Sequence, residues 1–93
     1  MSQIQWRVRH GEWGPVDVIV GWDRVTQSYH WTMFGPEDEI LTPDSIDPGI
    51  TARGVVAQLE RCGVEEPEGL EETLVAHREQ NVGNVVVRMT LEK

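Results

Sequence analysis

The first third of the chain alternates apolar with polar residues in three short runs. A period of two is typical of a strand that turns one face to the core and the other to water. The turn-forming stretches Gly11–Pro15 and Asp23–Gln27 separate the runs. We therefore predict an antiparallel meander of three strands, with apolar positions at Ile4, Trp6, Val8, Val16, Val18, Val20, Trp22, Tyr29, Trp31 and Met33.

Two helices are predicted after a long irregular segment that begins at Gly35 and contains Pro43 and Pro48. Thr51 suits the N-cap of the first helix, and Gly63 suits the left-handed residue that ends it. The second helix is predicted from about Pro67, because proline is tolerated at the first helical position. Helical spacing places two apolar faces inward: Ala52, Val55, Val56, Leu59 and Cys62 on the first helix, and Leu70, Leu74 and His77 on the second.

A fourth strand follows the break at Asn81–Asn84, because Val85, Val87, Met89 and Leu91 again alternate with polar neighbours, apart from Val86. The order βββααβ predicts one α+β domain over residues 1–93. We expect a two-layer sandwich in which an antiparallel sheet of about four strands is covered on one face by the two helices. The predicted contacts join Val56, Leu59, Leu70 and Leu74 to Val18, Val20, Trp31, Val87 and Met89.

The four tryptophans fall into two groups. Trp6, Trp22 and Trp31 are in phase with apolar strand positions, so we predict that they pack in the core. Trp13 lies in a glycine-flanked turn followed by Pro15. An aromatic there either anchors a binding partner, since tryptophan is enriched at interface hot spots, or covers the open end of the core.

The net charge and its distribution along the chain disfavour some classes of function. The formal net charge is −8, and residues 37–72 hold eleven acidic residues against two arginines, a net of −9. Such a chain is a poor direct ligand for nucleic acid, whose phosphates need Lys and Arg, and for anionic membrane surfaces. There is no apolar run of membrane-spanning length and no signal-peptide pattern at the N-terminus, so a cytoplasmic location is expected. The single Cys62 allows no internal disulfide.

The sequence offers weak support for catalysis or a cofactor. His10, His30 and His77 lie in different predicted elements, and no spacing typical of a metal site is present. Cys62 lies on an apolar helix face, where cysteine behaves as a small hydrophobe. We therefore expect no enzymatic activity, no metal and no cofactor, with His30 the least poor catalytic candidate.

The acidic segment has two interpretations. It is either a solvated surface that aids solubility or a docking face whose carboxylates imitate duplex phosphates and attract a basic partner. On the predicted second helix Glu68, Glu71 and Glu72 follow the spacing i, i+3, i+4, which places them on one outer side. The candidate partner-binding residues are Glu37, Asp38, Glu39, Asp44, Asp47, Glu65, Glu66, Glu68, Glu71, Glu72 and Trp13.

The chain contains three loose patterns: Val18-Ile19-Val20-Gly21-Trp22-Asp23, an acidic loop containing proline, and Gly63-Val64-x-x-Pro67-x-Gly69-Leu70 with Arg78 and Asn81. In these patterns it resembles a group of small acidic uncharacterised proteins encoded in bacterial genomes and on plasmids. The resemblance implies an accessory protein and transfers no functional residue. In size and charge alone the chain is also similar to phage and plasmid inhibitors of the anti-CRISPR and anti-restriction type.

Two hypotheses follow. In the first, the protein is a non-enzymatic binding or inhibitor protein whose 37–72 surface docks a basic protein that handles nucleic acid. In the second, it is an interaction or dimerisation module that uses a sheet edge and the Trp13 turn, and the acidic residues serve solubility only. A homodimer is compatible with the second hypothesis.

Overall fold

A computed structural model describes residues 2–37, 39–41 and 50–90. The predicted order βββααβ is confirmed. The elements are β1 (Ser2–His10), β2 (Gly14–Asp23), β3 (Ser28–Phe34), α1 (Ala52–Arg61), α2 (Leu70–Glu79) and β4 (Val85–Arg88).

The four strands form a mixed sheet in the order β3-β2-β1-β4. β1 pairs antiparallel with β2, and β2 with β3, as the meander predicts. β4 runs parallel to β1, from Ser2 opposite Val85 to Gln5 opposite Arg88, so the prediction of a wholly antiparallel sheet is wrong at this strand. The reason lies in α2, whose last turn places His77 beside Ser2. The chain therefore enters β4 at the end of the sheet where β1 begins, and both strands run in the same direction.

The helices pack on the face of the sheet that carries the predicted apolar positions. Trp6, Trp22 and Trp31 are 3%, 4% and 2% exposed, which confirms that they belong to the core. Fully burying one aliphatic side chain of the same core contributes about 1.5–3 kcal/mol. Val56, Val87 and Met89 pack at the margin and are only partly buried. The helices contribute Ala52, Val55, Leu59, Leu70 and Leu74 to the buried cluster.

Each buried indole donates a hydrogen bond that ties the sheet to the second half of the chain. Trp6 Nε1 donates to the carbonyl oxygen of Glu65 at 3.0 Å. Trp31 Nε1 donates to Gln58 Oε1 at 2.8 Å. Trp22 Nε1 donates to Asn81 Oδ1 at 3.0 Å. Buried polar groups need such partners, so the three tryptophans also fix where the helical layer lies.

Both ends of α1 follow the prediction. Thr51 is the N-cap, and its hydroxyl accepts a hydrogen bond from the backbone N–H of Gly54 at 3.1 Å. Gly63 has φ +75°, and the N–H of Val64 donates back to the carbonyl oxygen of Leu59 at 2.9 Å. This is the Schellman arrangement that satisfies the last carbonyl groups of a helix.

Two predicted boundaries are wrong. α2 begins at Leu70 rather than near Pro67, because Gly69 at its N-cap takes φ +86°, outside the helical region. Pro67 and Glu68 therefore belong to the connection before α2. β4 ends at Arg88, so Met89 is not part of the strand; the predicted strand position Leu91 lies outside the described residues.

Candidate functional site

Several of the binding residues proposed from the sequence lie in connections at one end of the sheet. The last residue of β1, His10, pairs with the first of β2, Gly14, and Phe34 at the end of β3 pairs with Asp17. The β1–β2 turn and the segment after β3 therefore leave the sheet at the same end. The first connection carries Trp13, and the second carries Glu37 and Glu39.

His10 joins this end of the sheet to the C-terminal end of α1. Its Nδ1 accepts hydrogen bonds from the backbone N–H groups of Glu12 and Trp13, at 3.0 and 3.3 Å. Because Nδ1 is the acceptor, Nε2 carries the proton and donates to the carbonyl oxygen of Cys62 at 2.6 Å. One imidazole thus holds the Trp13 turn against the end of the helix.

The chain that follows α1 lies beside β1, on the face of the sheet that the helices cover. Val64 is buried, and the Trp6 indole holds the carbonyl oxygen of Glu65. The side chain of Glu65 is exposed and that of Glu66 is half-buried. Glu60, in the last turn of α1, is exposed beside them.

The three carboxyl groups at the end of α1 interact unfavourably. Partial burial raises the pKa of Glu66 above its ordinary value of 4.5, and a hydrogen bond with the Glu60 carboxyl and repulsion from Glu60 and Glu65 raise it further. A hydrogen bond between two carboxyl groups requires a proton on one of them. A nearby cation would favour the ionised form of all three groups.

We call the surface at this end of the sheet the acidic end. Trp13, on this surface, has 43% of its surface exposed and is not part of the buried cluster. On the β3 side, Glu39 Oε2 accepts a hydrogen bond from the N–H of Glu37 at 3.0 Å. The acidic end consists of Trp13, Glu37, Glu39, Glu60, Glu65 and Glu66.

The remaining predicted site residues do not extend the acidic end into a single row of carboxylates. Glu68 precedes α2, so the expected helical face of Glu68, Glu71 and Glu72 does not form. Glu71 lies 3.8 Å from Arg53 across the two helices, and with Glu72 it occupies the first turn of α2, where the helix dipole favours negative charge. Asp38, Asp44 and Asp47 lie outside the described residues.

A second cluster with chemical interest surrounds Ser2, whose side chain is fully buried. Ser2 Oγ accepts a hydrogen bond from the N–H of Trp22 and lies within hydrogen-bond distance of His77 Nδ1, at 2.9 Å. His30 Nε2 lies 3.0 Å from the carbonyl oxygen of Ser2. Burial lowers the pKa of both histidines below 6.5. Because a substrate has no access to Ser2 Oγ, we interpret this serine–histidine pair as a core hydrogen-bond network.

Glu60 of the acidic end, and His10 that holds its Trp13 turn, were not among the candidate binding residues from sequence. Glu60 was counted only as part of the acidic segment, although its position three residues before Gly63 predicts that the returning chain passes near it. His10 was considered only as a metal ligand. Its position directly before a Gly-Glu-Trp-Gly turn was a signal for a turn contact, whereas nothing local indicated Cys62, 52 residues away.

Comparison of the chain with protein-family models, curated proteins and solved structures finds no match. Within the described ranges, no helix is long and apolar enough to cross a membrane, and no group of three or more His, Cys, Asp or Glu side chains is arranged to hold a metal ion. The candidate site therefore rests on the geometry of the acidic end.

Proposed function

We propose that this protein is a non-enzymatic binding protein whose acidic end docks a basic surface of a protein that handles nucleic acid. The observation that carries the proposal is the group formed by Glu60, Glu65 and Glu66 at the end of α1, to which His10 also fixes the turn that carries the exposed Trp13. The raised pKa of Glu66, caused first by its partial burial and then by Glu60 and Glu65, supports it, because an incoming cation favours the ionised form of all three groups.

Trp13 adds a second kind of contact to the same surface. The face of an indole attracts the guanidinium group of arginine, and carboxylates pair with it in the plane. An arginine-rich partner would use both contacts. Because His10 fixes the Trp13 turn to α1, little ordering would be needed on binding.

The partner class follows from charge. Grooves that hold nucleic acid are lined with Lys and Arg, and a rigid group of carboxylates can occupy such a groove in place of phosphates. The similarity in size and charge to phage and plasmid inhibitors of the anti-CRISPR and anti-restriction type supports an inhibitory role. Long-range attraction would speed association and make it sensitive to salt.

The test compares two charge reversals of equal size. Glu60→Lys, Glu65→Lys and Glu66→Lys together change three charges at the acidic end. The matched control, Glu68→Lys, Glu72→Lys and Glu79→Lys, changes three exposed charges elsewhere. Fluorescence anisotropy with a labelled peptide of alternating Arg and Ser measures the affinity at low and high salt. We expect the first variant to lose at least about ten-fold in affinity and the control about three-fold or less.

Trp13→Ala separates this proposal from the interaction module in which the acidic residues serve solubility only. If Trp13→Ala abolishes association, while both reversals leave it intact and salt has no effect, the solubility interpretation of the acidic residues is correct. Equal losses in the two reversal variants would show that net charge, rather than the acidic end, attracts the peptide. Circular dichroism confirms that each variant is folded.

A further inference from the structure

The face of the sheet opposite the helices carries a groove of about 1000 Å³. Ile19 and Phe34 are half-buried on this face, so part of the groove is apolar. The residues that face it from the strands are Gln5, Arg7, Asp17, Ile19, Phe34 and Arg88.

The strand register sets out the groove as two rows. Ile19 of β2 is followed across the sheet by Gln5 of β1 and Arg88 of β4. Phe34 of β3 is followed by Asp17 and then Arg7. Adjacent strands lie about 4.8 Å apart, so about 10 Å separates Ile19 from Arg88 along a row. The apolar half of the groove therefore lies over β2 and β3, and the cationic half over β1 and β4.

The two arginines differ in their partners. Arg7 is paired with Asp17, with Nε to Oδ1 at 2.9 Å and Nη2 to Oδ2 at 3.3 Å. Arg88 is exposed, and no other described residue forms a hydrogen bond or ion pair with its side chain. Among the described residues, the groove thus holds one cation without an ionic partner, in a chain of net charge −8.

We propose that this groove binds a small organic carboxylate with an apolar body, separately from the partner proposed for the acidic end. The carboxylate pairs with the Arg88 guanidinium, which matches its planar geometry. The apolar body lies on Ile19 and Phe34.

The test uses the full chain labelled with ¹⁵N and three probes. We expect 4-phenylbutanoate to cause saturable shifts of backbone amide signals from Gln5, Ile19, Phe34 and Arg88. The uncharged 4-phenylbutanamide and the anion acetate, which each lack one half of the ligand, should bind at least about five-fold more weakly. The proposal is overturned if either control probe binds as tightly as 4-phenylbutanoate, or if 4-phenylbutanoate causes no saturable shift.

Three variants assign the contacts. Arg88→Gln should weaken binding of 4-phenylbutanoate about five-fold or more. Arg9→Gln is the matched control, because Arg9 is exposed in β1 outside the groove and its loss changes the net charge equally. Ile19→Thr, which keeps a β-branched side chain in the strand, should also weaken binding. The proposal is overturned if Arg9→Gln weakens binding of 4-phenylbutanoate as much as Arg88→Gln does. It is also overturned if both Arg88→Gln and Ile19→Thr leave the affinity unchanged.

Discussion

At Gly21 in β2, other atoms occupy the space where a side chain would begin. A Cβ built there would overlap the carbonyl group of Ser2 and lie 2.9 Å from His30 Nε2. A glycine inside a strand often marks such a close approach of backbone. The absence of a side chain at this position is what allows His30 to reach the Ser2 carbonyl oxygen across the strand.

Gly21→Ala should therefore destabilise the protein by about 1–3 kcal/mol or more, the usual range for forced overpacking. Gly11→Ala is the control, because a Cβ at Gly11 meets no atom within 4 Å. It should change stability by no more than about 0.5 kcal/mol. Urea denaturation of both variants measures the difference, and equal midpoints would show that the Ser2 backbone moves aside without cost.

At the scale of single residues, the sequence predicted burial better than it predicted partners. The period of two placed Trp6, Trp22 and Trp31 in the core, because burial depends on which face of a strand a residue occupies. The acceptors for Trp6 and Trp22 lie 59 residues further along the chain, and the acceptor for Trp31 lies 27 residues further. Local pattern carries no information about such distant contacts.

Among the elements, the contact between the β1–β2 turn and α1 depends on one side chain. His10→Ala removes the acceptor for two N–H groups and the donor to Cys62 O. We expect a loss of about 1–3 kcal/mol in unfolding free energy and faster amide hydrogen exchange in residues 11–14.

His10→Asn is the control for this prediction. The Asn side chain can accept from the N–H two residues on and keep the turn, but it is too short to replace the bond to Cys62. His10→Asn should keep the amides of residues 11–14 protected from hydrogen exchange. Its affinity for the peptide of alternating Arg and Ser should fall, because the bond to Cys62 is lost. If His10→Asn binds the peptide as tightly as the unmodified protein, the link to α1 has no part in forming the acidic end.

Element boundaries were predictable where a local signal acts alone. Thr51 and Gly63 marked α1 correctly because capping depends on residues within one turn of the helix end. The start of α2 was not predicted, because Pro67 is compatible with a helical first turn and Gly69 overrides it by taking positive φ. The direction of β4 depended on where α2 ends in space, which no local pattern encodes.

For the molecule as a whole, the shifted histidines contribute to the pH dependence of stability. Burial lowers the folded-state pKa of His30 and His77, so their contribution is complete above pH 6.5 and is lost as the pH falls through those pKa values. Glu66 acts in the opposite direction. Its pKa is raised above 4.5, so its contribution is complete below pH 4.5 and is lost as the pH rises through the folded-state pKa.

We therefore expect the unfolding free energy to fall between about pH 7 and pH 5.5, where the histidines charge. In His77→Gln, which keeps a polar partner for Ser2 but does not titrate, the fall should be smaller. Urea denaturation at several pH values gives the slope for each protein. A slope that is unchanged in His77→Gln would assign the pH dependence to other groups.

From the sequence, the acidic excess could be assigned to a segment of the chain but not to one surface of the folded molecule. Residues 37–72 hold the acidic excess, but the fold separates Glu60, Glu65 and Glu66 from Glu71, which pairs with Arg53. Trp13, far from that segment in sequence, joins the first group through His10. The candidate site is therefore made of three chain segments: the Trp13 turn, the segment after β3, and the end of α1 with the residues that follow it. The sequence identified its members except Glu60, but not their association.

The parallel pairing of β1 with β4 also determines the order in which the sheet can be completed during synthesis. β1, β2 and β3 are joined by short turns and can pair as soon as residue 34 is free of the ribosome. The second edge of β1 must then wait for residues 85–88, which emerge after both helices. Until that moment β1 presents an open row of N–H and C=O groups to other chains. The nascent protein is thus most exposed to mispairing along its first strand.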